Sequence, residues 1–416
     1  MNILSSKTTP IRYKSLFLMA FLGLFLSSTT QIKAQAGLPP LDSVEMLIQT
    51  DAIQWECTQA INSMYNFDFG YAESIFRYVK RTYPEHPIGY FLMGLSYWWR
   101  IAPNIDTRTQ YDERFFAYMD SSILYAEEIL DREPENSPKY IEAAFFLAGS
   151  HGFEGRLLAE RKQWTKSAFS GKRALKYLEI AEGRGDLSPE LLFGDGLYNY
   201  YSIWIPENYK YLKPLLWFFR KGDKEKGLEQ LVTVSRNAFY SRTEAEIFLM
   251  KIHSQEGEPQ KSYMIGKRLT ETYPNNPYIQ RYHARILYQT GRLQELEKVS
   301  LDIIAKVDSA QYGYEALSGR YATYYLGYIN WKLNKKEELA KEYFERSVTF
   351  SEEIGMEEAG YYLLSLDYLG SYHEKKGDYE KAKVCYEKIK DNADRKDRVH
   401  EKARDFLKRY RKEYKD

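Results

Sequence analysis

Near the end of the chain, Leu366, Leu369, Gly370 and His373 stand at helical spacing, Gly377-Asp378-Tyr379 makes a turn, and Ala382, Tyr386 and Ile389 resume the same spacing. Residues three and four apart fall on one stripe of a helix, so each half of this block is an amphipathic helix with a face to bury. A short turn between two such helices folds them into an antiparallel hairpin. The absence of a side chain at Gly370 lets the two helices approach, and Ala382 is expected to present the small surface that meets it. The block is a packing device and carries no catalytic group.

This skeleton of a bulky residue, Leu-Gly, an aromatic, a Gly-containing turn, Ala and an aromatic resembles the tetratricopeptide repeat. The pattern recurs upstream. Thr82-Tyr83-Pro84 followed by Pro87 returns as Thr272-Tyr273-Pro274 followed by Pro277, and Pro134 with Pro138 is a looser copy. Proline cannot continue a helix and drives the residue before it out of the α region, so each element marks a boundary between hairpins. Ala72, Phe76 and Val79 precede the first boundary, and Tyr90, Met93, Gly94 and Tyr97 follow it. Tyr324, Leu326 and Gly327 lead to Ala340, Phe344 and Ser347 in the same phase.

No convincing alternation of period two occurs, so the expected fold is all-α, a right-handed superhelix of helical hairpins. The hairpins are expected at about 52–86, 87–136, 139–185, 189–240, 243–276, 277–308, 313–352 and 358–391. Together they make a repeat array over 52–391, preceded by a lead-in at 37–51 whose first residues, 37–43, are read as flexible. The stretch 392–416 reads as a polar-faced helix that covers the last apolar edge of the array.

Residues 140–231 depart from the simple repeat. They carry Gly155-Arg156, the run Gly194 to Tyr201, and Gly222-Asp223-Lys224-Glu225-Lys226-Gly227-Leu228. This order is similar to a family of bacterial tetratricopeptide-repeat proteins over roughly residues 140–290, and the resemblance implies the fold without implying a reaction. Tyr198, Tyr200, Tyr201, Trp204, Tyr209, Tyr211, Trp217, Phe218 and Phe219 crowd a segment in which Pro206 and Pro214 are expected to break the helices. Three roles remain open for it: a packing plug, a partner-binding surface, or an aromatic face for a membrane or a glycan.

The first residues read as an export signal, with Lys7, Arg12 and Lys14, an apolar run from Leu16 to Leu26, and Ala34-Gln35-Ala36 as the cleavage site. The run is shorter than the roughly 20 residues of a membrane helix, so cleavage after Ala36 is expected, with an uncleaved anchor as the alternative. Cleavage removes four cations, Lys7, Arg12, Lys14 and Lys33, and no acid, which takes the formal charge from +1 to −3. Such a chain lacks the basic footprint of a nucleic-acid binder. No cysteine follows the apolar run to accept a lipid, so a periplasmic or secreted protein is expected. Membrane contact would be peripheral, and the oligomeric state is left open. Cys57 and Cys385 would lie too far apart in an extended array to bond, and each is expected as a small buried hydrophobe.

The six histidines are His86, His151, His253, His283, His373 and His400, none paired at metal-ligand spacing. The glycines at 149–155 lie within a helical pattern and lack the strand that precedes a phosphate loop. His151, Glu154 and Arg156 form the one compact polar set, with Glu154 and Arg156 expected to pair structurally. No enzyme and no cofactor is expected. The expected function is an exported scaffold that holds a protein or peptide partner in the concave groove of the array, in a cell-envelope assembly. Candidate partner-binding residues are Tyr90, Tyr97, Trp99, Tyr198, Asn199, Tyr201 and Trp204. The alternative is a glycan-binding repeat protein with aromatic platforms for sugar rings.

Overall fold

A computed structural model describes residues 38–210, 213, 220–358 and 360–413. The export signal with its cleavage after Ala36, and Tyr211, Pro214, Trp217, Phe218 and Phe219 of the aromatic block, lie outside the described residues. The described residues from Pro39 onward belong to one unit.

Within that unit, helices pack in sequential pairs. α1 (Asp51–Tyr65) pairs with α2 (Phe69–Thr82), α3 (Pro87–Ile101) with α4 (Asp112–Arg132), α5 (Pro138–Glu160) with α6 (Trp164–Ala181), and α7 (Leu192–Asn208) with α8 (Lys224–Asn237). α9 (Arg242–Gln255) pairs with α10 (Pro259–Thr272), α11 (Pro277–Gln289) with α12 (Leu293–Asp308), α13 (Ala316–Lys332) with α14 (Glu337–Glu353), and α15 (Gly360–Lys376) with α16 (Tyr379–Asn392). A last helix, α17 (Arg398–Glu413), lies on α16 and buries Ala403, Phe406, Leu407 and Tyr410. The described chain is all-α and tetratricopeptide-like in its succession of hairpins, with no strand among the described residues.

Local chemistry sets the helix starts. Pro87, Pro138, Pro259 and Pro277 occupy first-turn positions, where the missing N–H costs nothing and the fixed φ suits the helix. Side-chain oxygens of Asp68, Ser137, Asp223, Asn276 and Asp378 accept the free N–H groups at their own helix starts. Pro206 departs from expectation. It stands in the last turn of α7, which continues to Asn208, and Tyr209 N–H still reaches Ile205 O at 2.8 Å. A proline there removes one bond at the end of a helix and does not break its body.

In three of the hairpins a glycine of the first helix makes room for a large side chain of the second. A Cβ on Gly370 would sit 2.9 Å from the Tyr386 ring, one on Gly327 2.8 Å from the Phe344 ring, and one on Gly94 2.6 Å from the Met119 methyl. The expected pairing of Gly370 with Ala382 is therefore corrected: Gly370 meets Tyr386, and Ala382 is buried beside it. In the α7–α8 hairpin the approach is between backbones. A Cβ on Gly227 would lie 2.6 Å from Tyr200 N and 2.8 Å from Gly196 O.

The array also closes on itself. Tyr65 Oη and Trp99 Nε1 both donate to Glu244 Oε1, at 3.1 and 3.0 Å. Tyr273 Oη donates to Asn62 Oδ1 at 2.8 Å, Asn276 Nδ2 to Tyr65 O at 2.8 Å, and Asn104 Nδ2 to Gly313 O at 3.0 Å. These bonds join α1 and α3 to α9, to the starts of α11 and α13, and to the segments just before them. The extended array expected from sequence is corrected accordingly: the first two hairpins are sealed against the middle ones. Cys57 and Cys385 are both buried and unbonded. The lead-in is held as well, because Leu47 N–H and Ile48 N–H donate to the buried Glu142 carboxylate at 3.1 and 2.7 Å, and Tyr83 Oη donates to Pro39 O at 2.6 Å.

A candidate binding cavity and the face of the first helices

At seven of the eight junctions between successive elements, the second helix of a hairpin packs along the helix that follows it. The junction of α6 with α7 is the exception. There the two meet sparsely, with Leu178 against Gly194. The intervening segment is tied elsewhere: Glu190 accepts the N–H groups of Phe239, Tyr240 and Ser241 and the Ser241 hydroxyl, so it caps the approach to α9. The wedge left between the third and fourth hairpins is a cavity of about 370 Å³.

Its walls are apolar. α3 contributes Ile88, Phe91, Leu92 and Leu95, and α5 contributes Phe145, Phe146 and Phe153. Leu175 and Leu178 come from α6, Phe193, Leu197 and Tyr201 from α7, and Phe248 from α9. Gly152 leaves the α5 wall bare, whereas Gly149 lies against the Phe91 ring, which a Cβ there would meet at 3.1 Å. A Cβ on Gly152 would meet no atom of the described residues within 4 Å, so open space begins at the helix backbone. Tyr240 also borders the cavity, and its buried hydroxyl has no hydrogen-bond partner among the described residues.

Polar groups gather at one end. Arg156 lines the cavity with its guanidinium carbon 4.4 Å from the Trp98 ring centre and 5.9 Å from that of Phe248. It makes no hydrogen bond or ion pair among the described residues. Glu244 lines the same end, and burial pushes its carboxyl above the ordinary range against the opposing pull of Arg156 and Lys251. The Lys251 ammonium lies 4.8 Å from the Tyr278 ring centre. Burial pushes the Tyr278 phenol up, but Lys251 and Arg156 outweigh it and draw the pKa below its usual value. Two cations thus stand around one carboxyl that burial disfavours as an anion.

A second surface continues along α11, α13 and α15. Tyr288 packs on Tyr325 and Tyr328 with ring centres 5.0 and 5.3 Å apart, Tyr321 on Tyr361 at 5.2 Å, and Trp331 on Tyr368 at 4.2 Å. Tyr324 and Tyr325 are buried beneath, while Tyr282, Tyr288, Tyr321, Tyr328 and Tyr361 are half-buried. Two arginines support these rings without a carboxylate partner among the described residues. Arg281 donates to Ser318 Oγ at 2.8 Å and to Pro103 O, and Arg320 donates to Ser351 Oγ at 3.1 Å. Burial lowers the pKa of both.

The sequence-derived candidates scatter over this framework. Tyr198 and Tyr201 border the cavity together. Trp204 packs beside Tyr201 at 6.0 Å. Asn199 is buried and turned to α8, where its amide donates to Gln230 at 2.8 Å. Tyr90 and Tyr97 face α4, stacked on Tyr125 and Tyr118. Trp99 is 2% exposed, with its N–H committed to Glu244. Glu154 pairs with His151, three residues away on the same helix face, at 3.0 Å and not with Arg156, which corrects the expected pair: Arg156 stands only two residues beyond Glu154 and so lies on another face. Apart from Tyr324, which the repeat phase places on a first helix, the tyrosines of α11 to α15, Glu244 and Lys251 have no part in the sequence analysis. The repeated tyrosines at helical spacing on those first helices were the available signal.

No family model matches the sequence, and no curated protein matches it. Among solved structures, the tetratricopeptide-repeat domain of P58(IPK) is similar at 12% identity, over 86% of this chain and 99% of that one, with a TM-score of 0.25. A superposition of that quality fixes neither a shared site nor a shared function.

Proposed function

We propose that the protein is an exported, non-catalytic scaffold that binds a protein or peptide partner on the face formed by its first helices, within a cell-envelope assembly in the periplasm or outside the cell. The observation that carries this reading is the tyrosine surface of α11, α13 and α15, half-buried and backed by Arg281 and Arg320. Tyrosine offers a large rigid area with a polar tip at small entropic cost, which is why such rings dominate binding surfaces. The leader read in residues 1–36 supports export. The candidates of α3 have less part in this surface than sequence suggested, because Tyr97 and Trp99 are buried.

A photo-crosslinking amino acid at position 328 in the native host tests the reading. The expected result is a discrete adduct to one envelope protein, identified by mass spectrometry and lost when Tyr288 and Tyr361 are replaced by Ala. Adducts confined to the protein itself, in cells that make it at native level, would sink it.

A further inference from the structure

The cavity between the third and fourth hairpins has a chemistry separate from the tyrosine surface. A volume of about 370 Å³ falls within the range of small-molecule sites, roughly 300–1,000 Å³. Its walls are aliphatic and aromatic along α3, α5, α6 and α7, and its polar groups converge at one end. An apolar lining of this extent holds water poorly, because water there lacks hydrogen-bond partners. The guanidinium of Arg156, without an acceptor among the described residues, is a fork for a planar anion. Glu244 beside it disfavours a doubly charged head, and Lys251 nearby favours a single negative charge.

We propose that this cavity binds a fatty-acid-like amphiphile, with its carboxylate on Arg156 and its hydrocarbon chain along the walls past Gly152. The chain lies where Phe91, Phe153, Leu178 and Leu197 line the space, and the head replaces the acceptor that Arg156 lacks. Binding therefore requires both ends: the open wall at Gly152 for the chain and the guanidinium for the head.

The test is displacement of the fluorescent fatty acid cis-parinarate from the full chain by palmitate and by hexadecanol, which share a chain and differ in the head. Palmitate is expected to compete at least ~10-fold more tightly than hexadecanol. Arg156→Met keeps an apolar stem over Trp98 and is expected to bring the two competitors to within about twofold. Gly152→Phe fills space that no atom of the described residues occupies and is expected to abolish cis-parinarate binding while the helical circular dichroism and melting temperature hold. If Arg156→Met fails to fold, Gly152→Phe decides. No binding of cis-parinarate to the wild-type chain, equal competition by palmitate and hexadecanol, or unchanged binding in Gly152→Phe would each overturn the proposal.

Discussion

Trp99 and Glu244 are 145 residues apart in the chain, and the indole N–H of one meets the carboxylate of the other at 3.0 Å. Tyr65 reaches the same oxygen, so one buried acid ties the first two hairpins to the fifth. Its charge state and its hydrogen bonds make separable contributions to stability.

Replacing Glu244 by Ala leaves two buried donors without an acceptor and is expected to cost about 3 kcal/mol. Glu244→Gln keeps an acceptor and removes the charge. Burial raises the Glu244 pKa above its ordinary 4.5, so the folded chain keeps a proton that the unfolded chain has already released. Stability from this group is therefore full below the unfolded value and falls as pH rises towards the folded one. Thermal melts in a pH series should show that fall in the wild type and not in Glu244→Gln. Parallel curves would refute the assignment.

His283 acts in the opposite sense. Burial lowers its pKa from 6.5 to about 4; Glu295 opposes that shift while Lys267 and Arg292 add to it. Its Nδ1 has no hydrogen-bond partner among the described residues, and its ring stacks on Tyr263 at 5.8 Å. Between those two values the unfolded chain holds the proton, so stability is lost as pH falls below 6.5, by at most ~1.4 kcal/mol per pH unit. His283→Phe keeps a ring on Tyr263 and should flatten the acid limb of urea midpoints, whereas an unchanged limb would assign the loss to other groups.

Gly227→Ala and Gly370→Ala should differ in cost. The added methyl at 227 meets backbone atoms of Tyr200 and Gly196, which cannot move without shifting α7. At 370 it meets the Tyr386 ring, which can tilt by a few tenths of an ångström. Expected losses are about 3 kcal/mol at 227 and about 1 kcal/mol at 370, read from urea denaturation. The reverse order would show that the α7–α8 approach is softer than its geometry implies.

Tyr288→Ala with Tyr328→Ala should weaken partner capture ~10-fold or more while helicity is retained, since both side chains are half-buried on the binding face. Trp99→Ala should instead lower the melting temperature, because that ring is internal. Equal capture by the double variant, measured by quantitative crosslinking, would move the partner elsewhere.

The hairpins were legible because their signals are local. Proline at 87, 138 and 277, glycine at 377 and the apolar stripes between them each act within a few residues, so spacing alone locates the turns. Gly370 was read correctly as a close approach but assigned the wrong neighbour, since spacing does not say which residue of the second helix faces it. The closure of Trp99 on Glu244 has no local signature, as neither residue changes the propensity of its own helix. The cavity was equally silent. Gly152 reads only as one of several glycines within a helical pattern, and the sparse meeting of α6 with α7 is what leaves it as a bare wall. Tyr198 and Tyr201 stand among the candidates for their place on or beside an expected first helix, and Arg156 for its place beside His151, not from any sign of the space they share.

The bonds from α1 and α3 to the middle of the chain bear on how the molecule responds to force. An open stack of hairpins yields like a spring, each pair peeling from its neighbour in turn. Here the segment between Asn62 and Gly313 is latched at both ends, by Tyr273 and Asn104 among others. Pulled from its termini, the chain would shed its last hairpins one at a time and then hold, until the latch ruptured and released the remainder in a single large step.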